Sequence, residues 1–164
     1  MGAVDERAFE AFYRAHGARV RHYVFGMLQD SELARDAVQE AWTRYLYYIR
    51  RPDPRYDLPL LLTVARNVVR EGWRRWHRER SLVRSRDPQA GRFEGAVELM
   101  DLVGRLPWRE REVIVLHYIA DLPVHVMATM LGVSITAVKS RLFRARSRLR
   151  TDYLDAEGTR HATE

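Results

Sequence analysis

Between residues 136 and 150 the sequence TAVKSRLFRARSRLR carries six cationic side chains, Lys139, Arg141, Arg144, Arg146, Arg148 and Arg150, and no acid. Guanidinium and ammonium groups grip phosphate oxygens, and in a major groove they also reach the acceptor edge of guanine. On a helix, Lys139, Ser140, Phe143, Arg144 and Ser147 share an outward face, while Val138, Leu142, Ala145 and Leu149 point inward. Charge and packing therefore occupy different sides. A phenyl ring such as Phe143 can touch a thymine methyl, and a serine such as Ser140 adapts to several partners. Lys139, Ser140, Phe143 and Arg144 are thus the candidate duplex contacts, with Arg148 and Arg150 expected at phosphate or in solvent. If all six cations met phosphate, affinity would fall with salt at a log–log slope of about −5.

A second basic stretch, ARNVVREGWRRWHRER at 65–80, places Arg66, Arg70 and Arg74 along one side of a helix with Asn67 beside them. Two readings stay open for it. Arginines can hold the backbone of a single strand while Asn67 or an aromatic group meets an unstacked base. Alternatively, the arginines are a solvated face, and Trp73 and Trp76 belong to a core. Other chemistries find little material. The chain has no cysteine, its histidines at 16, 22, 77, 117, 125 and 161 lack ligand spacing, and no phosphate-cradling glycine loop occurs, so neither a metal nor a cofactor nor an enzyme is expected.

A helix that reads DNA must be held by a partner helix. In VHVMATMLGVSITAVKSRLFRA, counting from Val124, a small Ala128 falls fifth, Gly132 ninth and Val138 fifteenth. The alanine admits close approach of the second helix, the glycine permits the turn, and the valine packs the second helix on the first. Ser134 can cap that second helix.

The rest of the chain has the same helical period. Phe9, Phe12, Tyr13, Val20, Tyr23, Val24, Met27 and Leu28 form one stripe, with an interruption near Gly17. Asp30 and Ser31 offer a cap before a second stripe, Ala34 to Ile49, which ends at the proline-rich RRPDPRYD. A third helix opens near Pro59 and carries Leu61, Val64, Ala65, Val68, Gly72 and Trp76 on one face. From Ser81 to Gly95 the period dissolves, which marks a linker. The fold expected is all-α: two small helical domains, 5–80 and 96–151, joined by a flexible linker at 81–95, with a helix-turn-helix in the second and a fraying tail at 152–164.

Charge supports this division. The 164 residues carry a formal charge of +6, and Lys139 is the single lysine. Residues 1–49 hold six arginines against seven acids, whereas 66–86 hold eight arginines and two glutamates. An acidic polymer is the natural partner of the second kind of segment and a protein surface that of the first. With no long apolar run and no basic, apolar leader, a cytoplasmic protein with no membrane role is expected.

Four motifs, RDAVQEAW (35–42), LLLTVARN (60–67), LPWREREV (106–113) and LGVSITAVKSRLFRAR (131–146), stand in an order that resembles the extracytoplasmic-function sigma factors of bacterial RNA polymerase over residues 6 to 151. The resemblance implies docking on the polymerase clamp helices through Asp36, Gln39 and Glu40. It also implies capture of a flipped base of the promoter −10 element near Asn67, flanked by Arg66, Arg70 and Arg74, and contact with the −35 element through Lys139, Ser140, Phe143 and Arg144, with Arg141 and Arg146 nearby. Core RNA polymerase (clamp and flap) and promoter DNA are the partners implied, and an anti-sigma factor is a further one common in the family. Departures are Leu60 for tryptophan, Glu71 for aspartate, Pro123 for a small polar residue, Val126 for glutamate and Ala137 for threonine. The competing expectation is an autonomous helix-turn-helix regulator that binds a palindrome as a homodimer.

Overall fold

The computed structural model describes residues 5–50, 56–79 and 96–161, with the backbone alone at 76–79, 96–98 and 157–161. The expected linker at 81–95, Arg80, most of RRPDPRYD and the side chains of Trp76 and His77 lie outside the described residues. All regular elements among the described residues are helical, and the chain divides into two compact units, Met1–Ala90 and Gly91–Glu164.

The first unit packs three helices, α1 (Glu6–Leu28), α2 (Ser31–Ile49) and α3 (Leu58–Glu79). Asp5 caps α1 by accepting from the amides of Arg7 and Ala8, and Asp30 caps α2 by accepting from Glu32 and Leu33. Between them Gln29 takes the left-handed conformation, φ 56°, and its N–H returns to the Phe25 carbonyl. The stripe is not interrupted at Gly17: α1 runs through it, and the glycine is buried in the helix. Val20, Tyr23, Val24 and Met27 of α1 meet Ala41 and Tyr45 of α2 and Leu61, Leu62, Ala65 and Val69 of α3, all sealed from solvent. Each such large apolar side chain contributes roughly 1.5–3 kcal/mol, which is how a chain without disulfides stands. Trp42 sits edge-on to Phe9 and Tyr45, and Phe12 stacks on Tyr45 at 5.6 Å. The Tyr45 hydroxyl accepts from the Asp57 amide at 3.0 Å, tying the start of α3 to α2.

In the second unit α4 (Ala96–Arg105) leads to α5 (Trp108–Ile114), which continues into one π-turn, Val115–Ile119. The wide turn is closed by the Ala120 amide, which donates to Val115 at 2.9 Å. Helices α6 (Val124–Leu131) and α7 (Ile135–His161) follow, and the chain bends by 106° between them. The residues at 152–161, expected to fray, continue α7 to His161. Buried Arg111 donates through Nη2 to the carbonyls of Gly104 and Leu106, closing the end of α4. Burial pushes its guanidinium pKa down from the ordinary value.

Candidate nucleic-acid interface

The turn before α7 is built from the residues the spacing singles out. Gly132 stands at φ 65°, its N–H donates to the Thr129 carbonyl, and the Val133 amide donates to Ala128. A side chain at that φ costs about 1–2 kcal/mol, so glycine is the residue the turn requires. The Ser134 hydroxyl then accepts from the Ala137 amide at 3.1 Å and caps α7. Behind the turn, Ala128 and Val138 are both buried, so the two helices meet through the alanine and the valine.

Along α7, Val138, Leu142 and Ala145 are buried, while Lys139, Ser140, Arg144 and Arg146 are exposed and Arg141 is half-buried. Phe143 is 69% exposed, which no packing role explains. A phenyl ring presented to water on a cationic helix face is free to meet a base edge or a thymine methyl. The helix therefore presents Lys139, Ser140, Phe143 and Arg144 outward together. Arg146 sits on one flank, where its Nη1 donates to the Tyr118 hydroxyl at 3.2 Å.

Arg148 is exposed, as expected for phosphate or solvent, but it also has an acidic neighbour. Its Nε stands 2.9 Å from Oε2 of Glu110, and Arg144 Nε stands 3.6 Å from Oε1 of the same carboxylate. The Arg148 N–H is not aligned for a hydrogen bond with Oε2, which has none, so that contact is ionic. Glu110 is a residue that pattern reasoning missed. Its two partners lie more than thirty positions away, and nothing in WREREV distinguishes it from a solvated acid.

On α3, Asn67 and Arg74 are exposed and Arg66 and Arg70 half-buried along one side, while Leu61, Leu62, Val64, Ala65, Val68 and Val69 face the core. The amide and the three arginines are thus brought to a single helix face. Asp36, Gln39 and Glu40 are exposed on the outer face of α2. Glu40 accepts from Arg44 at 2.7 Å, and Arg44 also donates to Glu71 of α3 at 2.8 Å. These two bonds raise the Arg44 pKa, Glu40's contributing most. Glu71 thus takes up a cation from α2, a link between helices that the sequence did not suggest. A groove of about 530 Å³, lined in part by Asp36, Glu40, Arg44, Glu71 and Arg75, lies beside it.

Among the described residues no three His, Asp or Glu side chains come together as metal ligands, and no single helix is long and apolar enough to cross a membrane.

A family model described as Sigma-70 region 2 matches residues 12–79, and one described as Sigma-70, region 4 matches 96–149. The chain is similar to the ECF RNA polymerase sigma factor SigM of Bacillus subtilis (strain 168), 28% identical over 155 residues that cover 88% of this chain and 94% of that protein. It is 30% identical to the ECF RNA polymerase sigma factor SigC of Mycobacterium tuberculosis (strain CDC 1551 / Oshkosh) over 155 residues, covering 89% and 83% of the two chains. In fold it matches the sigma factor RpoE solved with the anti-sigma factor NepR from Bartonella quintana, with a TM-score of 0.75 and 21% identity over 88% of this chain and 96% of that one.

Proposed function

The chain belongs to the extracytoplasmic-function sigma factors of bacterial RNA polymerase, and from that premise we propose how its two units divide the work. As a sigma factor it binds core RNA polymerase and promoter DNA and directs promoter recognition and transcription initiation. Such factors are in general non-enzymatic, and no residue here is given a catalytic or cofactor-binding role.

In this proposal the three-helix unit, 5–80, docks on the polymerase clamp helices through Asp36, Gln39 and Glu40. It captures the melted −10 strand with Asn67, while Arg66, Arg70 and Arg74 hold the strand's backbone. The helix-turn-helix unit, 96–151, reads duplex −35 DNA with Lys139, Ser140, Phe143 and Arg144, has Arg141 and Arg146 at the flanks, and meets the polymerase flap. The observation that carries the duplex assignment is the strongly exposed Phe143 among exposed cations on a helix whose opposite face is buried. The near balance of six arginines and seven acids in residues 1–49 favours a protein partner for α2 over DNA.

Joining two modest sites through residues 81–95 raises the effective concentration of the second once the first is engaged. The protein acts where polymerase acts, in the cytoplasm. Bartonella quintana RpoE is held by the anti-sigma factor NepR, and a comparable inhibitor is proposed here. Footprinting with and without core polymerase tests the division. Protection of −10 and −35 elements should require the polymerase, and tight, sequence-specific protection of a palindrome by the free protein would instead establish an autonomous regulator.

A further inference from the structure

Glu110 keeps only 9% side-chain exposure, yet its carboxylate faces two largely exposed arginines of α7. Arg144 and Arg148 are four residues apart, so a single acid on α5 reaches both along one flank of the helix. Arg141 precedes them on the same flank, and an open groove of about 500 Å³ runs there between α5 and α7, bordered by Trp108, Arg109, Ser140 and Arg141. Ion pairs with exposed partners add little stability. Their consequence here is where the two guanidinium groups are held. A carboxylate that has lost most of its water is weakly screened, so a DNA phosphate must compete with it for each arginine.

We infer that Glu110 is a positioning residue for duplex recognition: it restrains Arg144 at the edge of the groove and holds Arg148 off the phosphate backbone. Helix α7 then binds arbitrary DNA through fewer phosphate contacts than its six cations allow. Specificity is a ratio of affinities, so suppressing the sequence-independent part raises it without any new base contact. The inference rests on α7 being the duplex-binding helix.

Its test is the salt dependence of binding of the full chain to an arbitrary-sequence duplex, followed by fluorescence anisotropy, with helicity checked by circular dichroism. Each phosphate contact contributes about 0.9 to the log–log slope. Arg148→Ala should leave the wild-type slope unchanged. Glu110→Gln should steepen the slope by about 1 to 2, and adding Arg148→Ala to it should remove about 1. A merely structural Glu110 would weaken binding on substitution without steepening the slope. The inference is overturned if Arg148→Ala alone flattens the wild-type slope by about 1, a result that stands even if Glu110→Gln fails to fold. An unchanged slope in a folded Glu110→Gln protein overturns it as well. Absence of any duplex binding by the wild type at low salt would overturn both this inference and the assignment of α7, whereas binding with the wrong variant slopes counts against Glu110 alone.

Discussion

The helix-turn-helix unit gathers Lys139, Ser140, Phe143 and Arg144 onto one exposed face of one helix, whereas the three-helix unit spreads its candidates over two helices, Asp36, Gln39 and Glu40 on α2 and Asn67 with its arginines on α3. Both units pair arginine with acid across helices, but to different ends. Arg44 bridges Glu40 and Glu71 and so ties α2 to α3. Glu110 pairs with cations that stand on the contact helix itself. A surface that meets a folded protein can be assembled from several elements held rigid by a common core. A helix that enters a groove carries its contacts on its own exposed face, where a neighbouring acid can trim its charge.

If the two units carry separate cores, damage to one should stay there. Leu116→Ala removes a fully buried side chain and should destabilise the second unit by about 2–5 kcal/mol. Hydrogen exchange followed by mass spectrometry should show protection lost within 96–161 and kept in α1 to α3, and equal loss in both would break the comparison. Gly132→Ala forces a side chain into φ 65° at the turn and should cost about 1–2 kcal/mol in denaturant unfolding. No element of the first unit has a glycine in that role among the described residues.

Tyr45→Phe removes the bond to the Asp57 amide and should destabilise the first unit by about 0.5–1.5 kcal/mol. Burial also raises the Tyr45 pKa above the ordinary phenol value, against a smaller lowering by that same bond. The folded unit therefore keeps the proton to higher pH than the unfolded chain does. Its contribution is complete below the unfolded phenol pKa and is lost as pH rises through the folded one, a loss that Tyr45→Phe should abolish in unfolding measured against pH. Arg44→Ala should have the smallest effect, at most about 1 kcal/mol, because the pair is over a third exposed. A larger loss would make the bridge between α2 and α3 part of the core.

Much of this could be read from the residues. Ala128, Gly132 and Val138 fall where the frame beginning at Val124 puts them, because a tight turn between two crossing helices has few solutions and each demands a particular side-chain size. Asp30 caps α2 for an equally local reason. The π-turn was not legible, since VIVLHYI is apolar but for His117 and one extra residue in a turn leaves no periodic trace. The tail TDYLDAEGTRH suggested an end to α7, yet it contains no proline and the helix continues. The ion pairs of Glu110 and Glu71 were not legible because their partners lie on other helices, and only the packing brings them together.

Run-off transcription with core polymerase on genomic fragments tests the central claim most directly. Adding the full chain should produce new, discrete start sites, and Lys139→Ala or Phe143→Ala should weaken initiation at promoters that depend on their −35 element. No new start site across many fragments, with a folded protein and active polymerase, would contradict it.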